Sequence, residues 1–225
     1  MALMTSPKLL TTALILSVIT VGYNLIEGIV SVLFGAGDDT LALFGFGIDS
    51  FVEVISGIGI LHMVMRMSHA QTETLDGFEK QALVITGTAF YVLAVGLVIG
   101  SMVYVITGMS PETTVAGIVI SVVSVITMYF LMNAKLKVGR QLNSNAIIAD
   151  ANCTKTCFYL SFILLASSLL YELFGIAWFD VIGSLGVAWF AFSEGQEAFE
   201  KSKTEKIECT GCGCHSKLGS SFKKL

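Results

Sequence analysis

The sequence predicts an all-α membrane protein with six transmembrane helices and both termini in the cytoplasm. Of its 225 residues, 54% are hydrophobic and only 13% are charged, which is more apolar than a soluble domain of this size needs. The apolar residues form long stretches, each near the ~20 residues that cross a bilayer as a helix. They lack the apolar and polar alternation of membrane barrel strands.

Six such stretches follow one another along the chain. They span residues 9–34, 41–66, 82–106, 114–134, 146–171 and 176–198. The first follows Lys8, as a secretory signal would, but it continues without a small-residue cleavage site, so we interpret it as a retained first helix. The chain therefore divides into a six-helix domain, residues 1–199, and a short cytoplasmic tail, residues 200–225.

The positions of lysine and arginine predict the orientation in the membrane. Twelve of the 13 fall before helix 1, between helices 2 and 3, between helices 4 and 5 (Lys135, Lys137 and Arg140) or after helix 6. Cytoplasmic loops carry such an excess of cations, so both termini are expected in the cytoplasm, and the cell (inner) membrane is the expected location. The exception, Lys155 in helix 5, either extends to the cytoplasmic surface or pairs with an acid on another helix.

Helices 1 and 2 carry polar residues within their apolar stretches. Asp49 and Glu53 are four apart and share one face of helix 2 near the bilayer midplane. Each carboxylate costs roughly 2.5–3.5 kcal/mol at that depth, which favours a functional role over helix pairing. Asn24 and Glu27 share a face of helix 1 and are candidate accessory residues. Glu27 either receives outgoing ions or reaches the lipid headgroups.

Helix 3 contains Gly96 and Gly100, a GxxxG pattern that fits a homodimer contact but also occurs by accident in apolar sequence. Helix 5 contains Asp150, Cys153 and Cys157 on one face. Facing the helix 2 pair, these side chains would form an oxygen and sulfur site for a divalent cation such as zinc or cadmium.

Two alternatives for the helix 5 cysteines remain open. Free cysteine also serves as a small packing residue. Cys153 and Cys157 could also be the redox pair of a membrane thiol oxidoreductase, although such enzymes usually use a Cys-x-x-Cys spacing near the membrane surface.

The tail concentrates three of the five cysteines within six residues. Cys209, Cys212 and Cys214 precede His215, on the side of the membrane where thiols stay reduced. The spacing predicts a second metal-binding segment.

These motifs resemble the cation diffusion facilitator family of metal exporters. The acid-x3-acid pair of Asp49 and Glu53 matches the family's helix 2, and "ADANCTKTC" aligns with its helix 5 motif, with Cys153 and Cys157 in place of a histidine and an aspartate. "FDVIGSLGVAWFAFSEG", with Asp180, is similar to the start of helix 6, so the resemblance covers all six helices. The tail is shorter than the cytoplasmic domain of many members.

The resemblance implies a secondary transporter and not an enzyme. The protein would export a divalent transition-metal cation such as zinc in exchange for protons. It would lie in the lipid bilayer, with no resident cofactor and no nucleic-acid partner. The sequence lacks a GxxxxGK[ST] nucleotide motif, and metal ligands release protons on binding, which agrees with proton exchange. A passive metal channel or a receptor of the same fold remains open.

Overall fold

The computed structural model describes residues 7–70 and 77–203, and within these ranges all regular secondary structure is α-helix. The fold-class prediction of an all-α protein is confirmed there. The helices are α1 (Pro7–Gly37), α2 (Leu41–Ala70), α3 (Gly77–Thr107), α4 (Val115–Leu142), α5 (Asn145–Phe174) and α6 (Trp178–Ser202).

Five of the helices, α1 to α5, are long and apolar enough to cross a membrane, which indicates a membrane protein. Helix α6 has 25 residues and is ~37 Å long at ~1.5 Å per residue, so its length also suffices. Its last turns contain Glu194, Glu197 and Lys201, and it is therefore less apolar than the other five.

The helices extend beyond their predicted ends. The prediction that Lys135, Lys137 and Arg140 lie between helices 4 and 5 is wrong, because α4 continues to Leu142. Lysine and arginine are good helix formers, so a helix does not end where its apolar stretch ends. Helices α1 and α3 likewise include Lys8 and Lys80, which had been placed outside them.

Local signals end α4 and begin α5. Asn143 adopts the left-handed conformation, with φ 48°, and its N–H donates to the carbonyl of Arg140 at 3.3 Å. The Ser144 hydroxyl then accepts a hydrogen bond from the Ile147 N–H at 3.4 Å and caps α5. Such short connections make successive helices antiparallel. One end of the bundle, the terminal end, therefore holds Pro7 and Ser202, and the opposite end is called the loop end.

The most extensive helix contacts join α1 with α2, α3 with α6 and α4 with α5, and α2 also contacts α3, α5 and α6. Helices α1 and α2 approach closely because glycines face the partner backbone. A Cβ on Gly35 would lie 2.5 Å from the Phe44 nitrogen, and one on Gly47 would lie 2.7 Å from the Val32 nitrogen. No larger residue fits at either position without moving the helices apart.

The predicted homodimer contact on α3 remains a prediction. Within the described chain, Gly100 faces the Leu41 side chain of α2, with 3.2 Å from its notional Cβ to that side chain. A Cβ on Gly96 would meet nothing within 4 Å, so this glycine lies on an open surface.

The core lies where α2 meets α3, α5 and α6, around Leu43, Phe46, Leu164 and Val187. Large apolar side chains also cover the outside of the bundle; Val92, Ile106 and Phe130 are 69%, 82% and 67% exposed. An apolar exterior of this extent is expected where lipid surrounds the protein.

Candidate functional site

A small polar cavity lies inside the bundle, between α1, α2, α5 and α6. Its volume is about 50 Å³, enough for ordered water or a single metal ion. Its polar lining is supplied by Thr20, Asn24, Glu53, Ser56, Asp150, Cys153, Thr154, Cys157 and Glu194. Helices that are distant in the sequence therefore place carboxylates and thiols around one space.

Glu53 joins the predicted faces of helices 2 and 5. One carboxylate oxygen, Oε1, accepts a hydrogen bond from the Cys157 Sγ at 2.6 Å, and the other, Oε2, accepts one from the Asn24 Nδ2 at 2.9 Å. Both donors are neutral groups, so neither offsets the charge of an ionised Glu53. The structure thus brings together one predicted ligand from each helix and one predicted accessory residue.

Asp49 is buried, with 2% of its surface exposed, but it is not among the residues that line the cavity. It lies one helical turn, ~6 Å, from Glu53 toward the loop end. Its Oδ1 accepts no hydrogen bond from the described residues. The two helix 2 carboxylates share a face as predicted, but they have different surroundings.

Glu27 also lies inside the bundle, with 6% of its surface exposed, and it does not reach the lipid headgroups. Its Oε1 accepts a hydrogen bond from the Tyr23 hydroxyl at 2.9 Å, and its Oε2 accepts one from the Ser50 hydroxyl at 3.2 Å. Ser50 follows Asp49 on α2. Glu27 therefore belongs to a polar region on the loop-end side of Glu53.

Asp150 lines the cavity, but its charge is already paired. The Lys135 Nζ lies 2.9 Å from both Asp150 oxygens and donates a further hydrogen bond to the Thr154 hydroxyl at 3.0 Å. Only 1% of the Lys135 surface is exposed. The burial of Lys135 was not predicted, because its position after an apolar stretch indicated a loop.

Cys153 lines the same cavity, with the Lys201 Nζ 3.9 Å from its Sγ. Lys201 also pairs with Glu197 on its own helix, at 2.8 Å. The Cys153 carbonyl lies 3.3 Å from the Cys157 Sγ and is the alternative acceptor for the single thiol proton. Both cysteines are free thiols.

Glu194 of α6 is a second residue that the sequence analysis missed, and it contributes a carboxylate to the cavity. The signal was present, since an ionisable residue inside an apolar stretch is a candidate functional residue by default. Glu194 falls within the predicted helix at 176–198.

No three histidine, cysteine, aspartate or glutamate side chains within residues 7–70 and 77–203 are arranged to hold a metal ion together. The predicted ligands Glu53 and Cys157 meet, whereas Asp150 contacts Lys135 and Asp49 lies outside the cavity lining. The tail residues Cys209, Cys212, Cys214 and His215 lie outside the described residues.

Lys155 pairs with no acid on another helix among the described residues. Its Nζ lies 5.6 Å from the centre of the Tyr159 ring, one turn along α5. This is a cation–π contact, which does not involve the cavity.

No family model matches the chain, and no curated protein matches its sequence. The resemblance to the cation diffusion facilitator family therefore stands on the motifs of helices 2, 5 and 6.

Proposed function

We propose that the protein is a secondary transporter that exports a divalent transition-metal cation, zinc or cadmium in character, from the cytoplasm in exchange for protons. The observation that supports this proposal is the contact of the Glu53 carboxylate with the Cys157 thiol, at 2.6 Å beside an internal cavity. Ionisable side chains within a membrane mark ion pathways more often than structural contacts.

The chemistry of this pair suits a cation of borderline to soft character. A carboxylate supplies a hard oxygen and a thiolate supplies a soft sulfur, a combination that favours zinc or cadmium over magnesium or calcium. The thiol must lose its proton before sulfur can bind the metal. Metal binding would therefore release a proton, and proton binding would favour metal release.

Two ligands do not complete a tetrahedral site, so further ligands must move toward the metal. Cys153 and Glu194 already line the cavity, and rotation about their side-chain bonds would bring a sulfur and an oxygen closer to Glu53. Water in the cavity supplies any remaining position.

The proposed pathway continues beyond the cavity. Asp49 and Glu27 are buried on the loop-end side of Glu53, so polar groups follow one another along α1 and α2. Alternating access at a site near the midplane is the mode that many secondary transporters use. In this proposal α6 also crosses the bilayer, both termini are cytoplasmic, and the protein lies in the cell membrane.

The alternative of a thiol oxidoreductase receives less support from the geometry. The Cys157 thiol donates its proton to a Glu53 oxygen at 2.6 Å. A hydrogen-bonded carboxylate beside the sulfur suits cation binding and proton exchange.

The test is flux of zinc and cadmium into proteoliposomes that contain the purified full chain, with and without an imposed pH gradient. We expect uptake that accelerates when the metal-receiving compartment is the more acidic one. E53Q is the inactive comparison and E200Q, which changes an exposed glutamate of α6, is the matched control. Flux that does not depend on the pH gradient would favour a passive channel, and the absence of flux would overturn the proposed transport function.

A further inference from the structure

A buried ion pair joins Lys135 of α4 to Asp150 of α5, and Asp150 lines the cavity. Lys135 lies near the terminal end of α4 and is 1% exposed, whereas its neighbour Lys137 is exposed. Taking an ammonium and a carboxylate out of water is costly, and the pair repays that cost only with complete hydrogen bonding. The geometry must therefore satisfy all three N–H groups of Lys135.

The contacts meet this requirement. The Lys135 Nζ lies 2.9 Å from each Asp150 oxygen and 3.0 Å from the Thr154 hydroxyl. The Thr154 hydroxyl in turn donates to the Asp150 carbonyl at 3.2 Å, which leaves its oxygen free to accept from Lys135. The ammonium is thus held in a complete site made by two turns of α5.

Asp150 also faces the transport cavity. It shares the lining with Glu53, Cys157 and Glu194, so a divalent cation in that space would attract the Asp150 carboxylate. The same cation would repel the Lys135 ammonium. One carboxylate therefore has two cations that compete for it, one fixed to the chain and one transported.

We infer that Lys135 is a built-in counter-cation, which holds Asp150 while the cavity lacks a divalent cation and competes with the incoming cation for that carboxylate. This inference rests on the proposed function. Its consequence is a limit on affinity, because Asp150 is never freely available to the metal. A limited affinity allows the metal to leave, so Lys135 would sustain turnover.

The test is a binding and flux cycle in the full-length protein, with cadmium as the probe. Removing the ammonium in K135M should tighten cadmium binding by about tenfold or more, since close charge pairs couple at least this strongly. In flux assays both KM and kcat should fall, because release becomes slow. K137M is the matched control on the same helix, and K135R should restore the wild-type KM and kcat.

The double variant K135M/D150N separates this role from a structural one. Without Asp150 the gain from removing Lys135 should be smaller than in the wild-type background, because only the direct repulsion between the ammonium and cadmium is lost. A merely structural role predicts no gain in K135M at all. Cadmium binding to folded K135M that equals wild type, or is weaker, overturns the inference.

K135M can fail to fold, since it leaves the Asp150 charge buried without its partner. In that case D150N is compared with K135M/D150N. The double variant should bind cadmium more tightly than D150N because the repelling ammonium is gone, and equal binding overturns the inference. Wild-type protein that neither binds nor moves cadmium would instead overturn the proposed function, and the inference with it.

Discussion

Two buried carboxylates at different levels of the bundle, Asp180 and Glu53, differ in their hydrogen-bond donors. At the loop end, Asp180 accepts hydrogen bonds from the backbone N–H groups of Leu41 and Ala42, at 2.9 and 3.2 Å. In the middle of the bundle, the hydrogen bonds that Glu53 accepts from the described residues come from the side chains of Asn24 and Cys157.

The donors explain the two roles. Backbone N–H groups at the start of a helix are fixed in place and need an acceptor, so Asp180 caps α2 from across the bundle. Side-chain donors can rotate away, so the Glu53 carboxylate can exchange a hydrogen bond for a cation. Whether its hydrogen-bond donors are fixed or can rotate, more than its burial, therefore distinguishes a structural carboxylate from a candidate transport residue.

The largest expected effect is on flux at the middle level. Glu53→Gln keeps the shape of the side chain but removes the charge, so zinc and cadmium flux should fall by about 100-fold or more, since losing even a hydrogen-bond partner of a metal ligand typically costs about 10- to 100-fold. Thermal unfolding in detergent should remain within a few degrees of wild type. A Glu53→Gln protein with wild-type flux would eliminate Glu53 as a ligand.

At the loop end the expected effect is on stability instead. Asp180→Ala leaves the N–H groups of Leu41 and Ala42 without their acceptor, which should lower the free energy of unfolding by about 2 kcal/mol. Flux per folded molecule should stay near wild type. Denaturation in detergent, together with flux normalised to folded protein, checks both expectations. Loss of flux per folded molecule at unchanged stability would contradict the structural role of Asp180.

A smaller effect is expected for selectivity. Cys157→Ser replaces a soft sulfur by a hard oxygen of similar size, so the ratio of cadmium to zinc transport should fall by about tenfold. Ser161, one turn along α5, donates to the Cys157 carbonyl at 2.8 Å and lies outside the cavity lining, so Ser161→Ala is the matched control. An unchanged ratio in competition assays with both metals would show that the Cys157 sulfur does not touch the ion.

The smallest stability effect is expected at Asp49. Since its Oδ1 accepts no hydrogen bond from the described residues, Asp49→Asn should leave the free energy of unfolding within about 0.5 kcal/mol of wild type, or raise it. Metal flux should nevertheless fall. Thermal melting of the Asp49→Asn and Asp180→Ala proteins under the same conditions compares their losses of stability. Destabilisation of Asp49→Asn as large as that of Asp180→Ala would place Asp49 among the structural carboxylates.

Part of this arrangement could be predicted from the sequence. Spacing alone placed Asp49 with Glu53 on α2, and Asp150, Cys153 and Cys157 on α5, because the period of a helix fixes which residues share a face. The rotation of each helix against its neighbours is set by packing. For that reason the sequence did not show that Glu53 faces the cavity, or that Glu194 of α6 faces it too.

The burial of Lys135 could not be predicted from the sequence, for a different reason. Hydropathy locates the apolar part of a helix and gives no information on how far the helix continues into polar sequence. The Lys135 side chain was expected in water and lies buried against Asp150 instead. Its role depends on a contact between two helices, which no local pattern encodes.

The pairing of the helices has a mechanical consequence. The three closely packed pairs, α1 with α2, α3 with α6 and α4 with α5, are expected to move as stiff bodies, and glycine contacts such as Gly47 against Val32 prevent sliding within the first. The hydrogen bond of Asn24 with Glu53 and the ion pair of Lys135 with Asp150 each lie within one body. The hydrogen bond of Cys157 to Glu53 joins two bodies, and so does that of the Leu41 N–H to Asp180, so movement between the bodies would change the proposed cation site and the loop-end cap together.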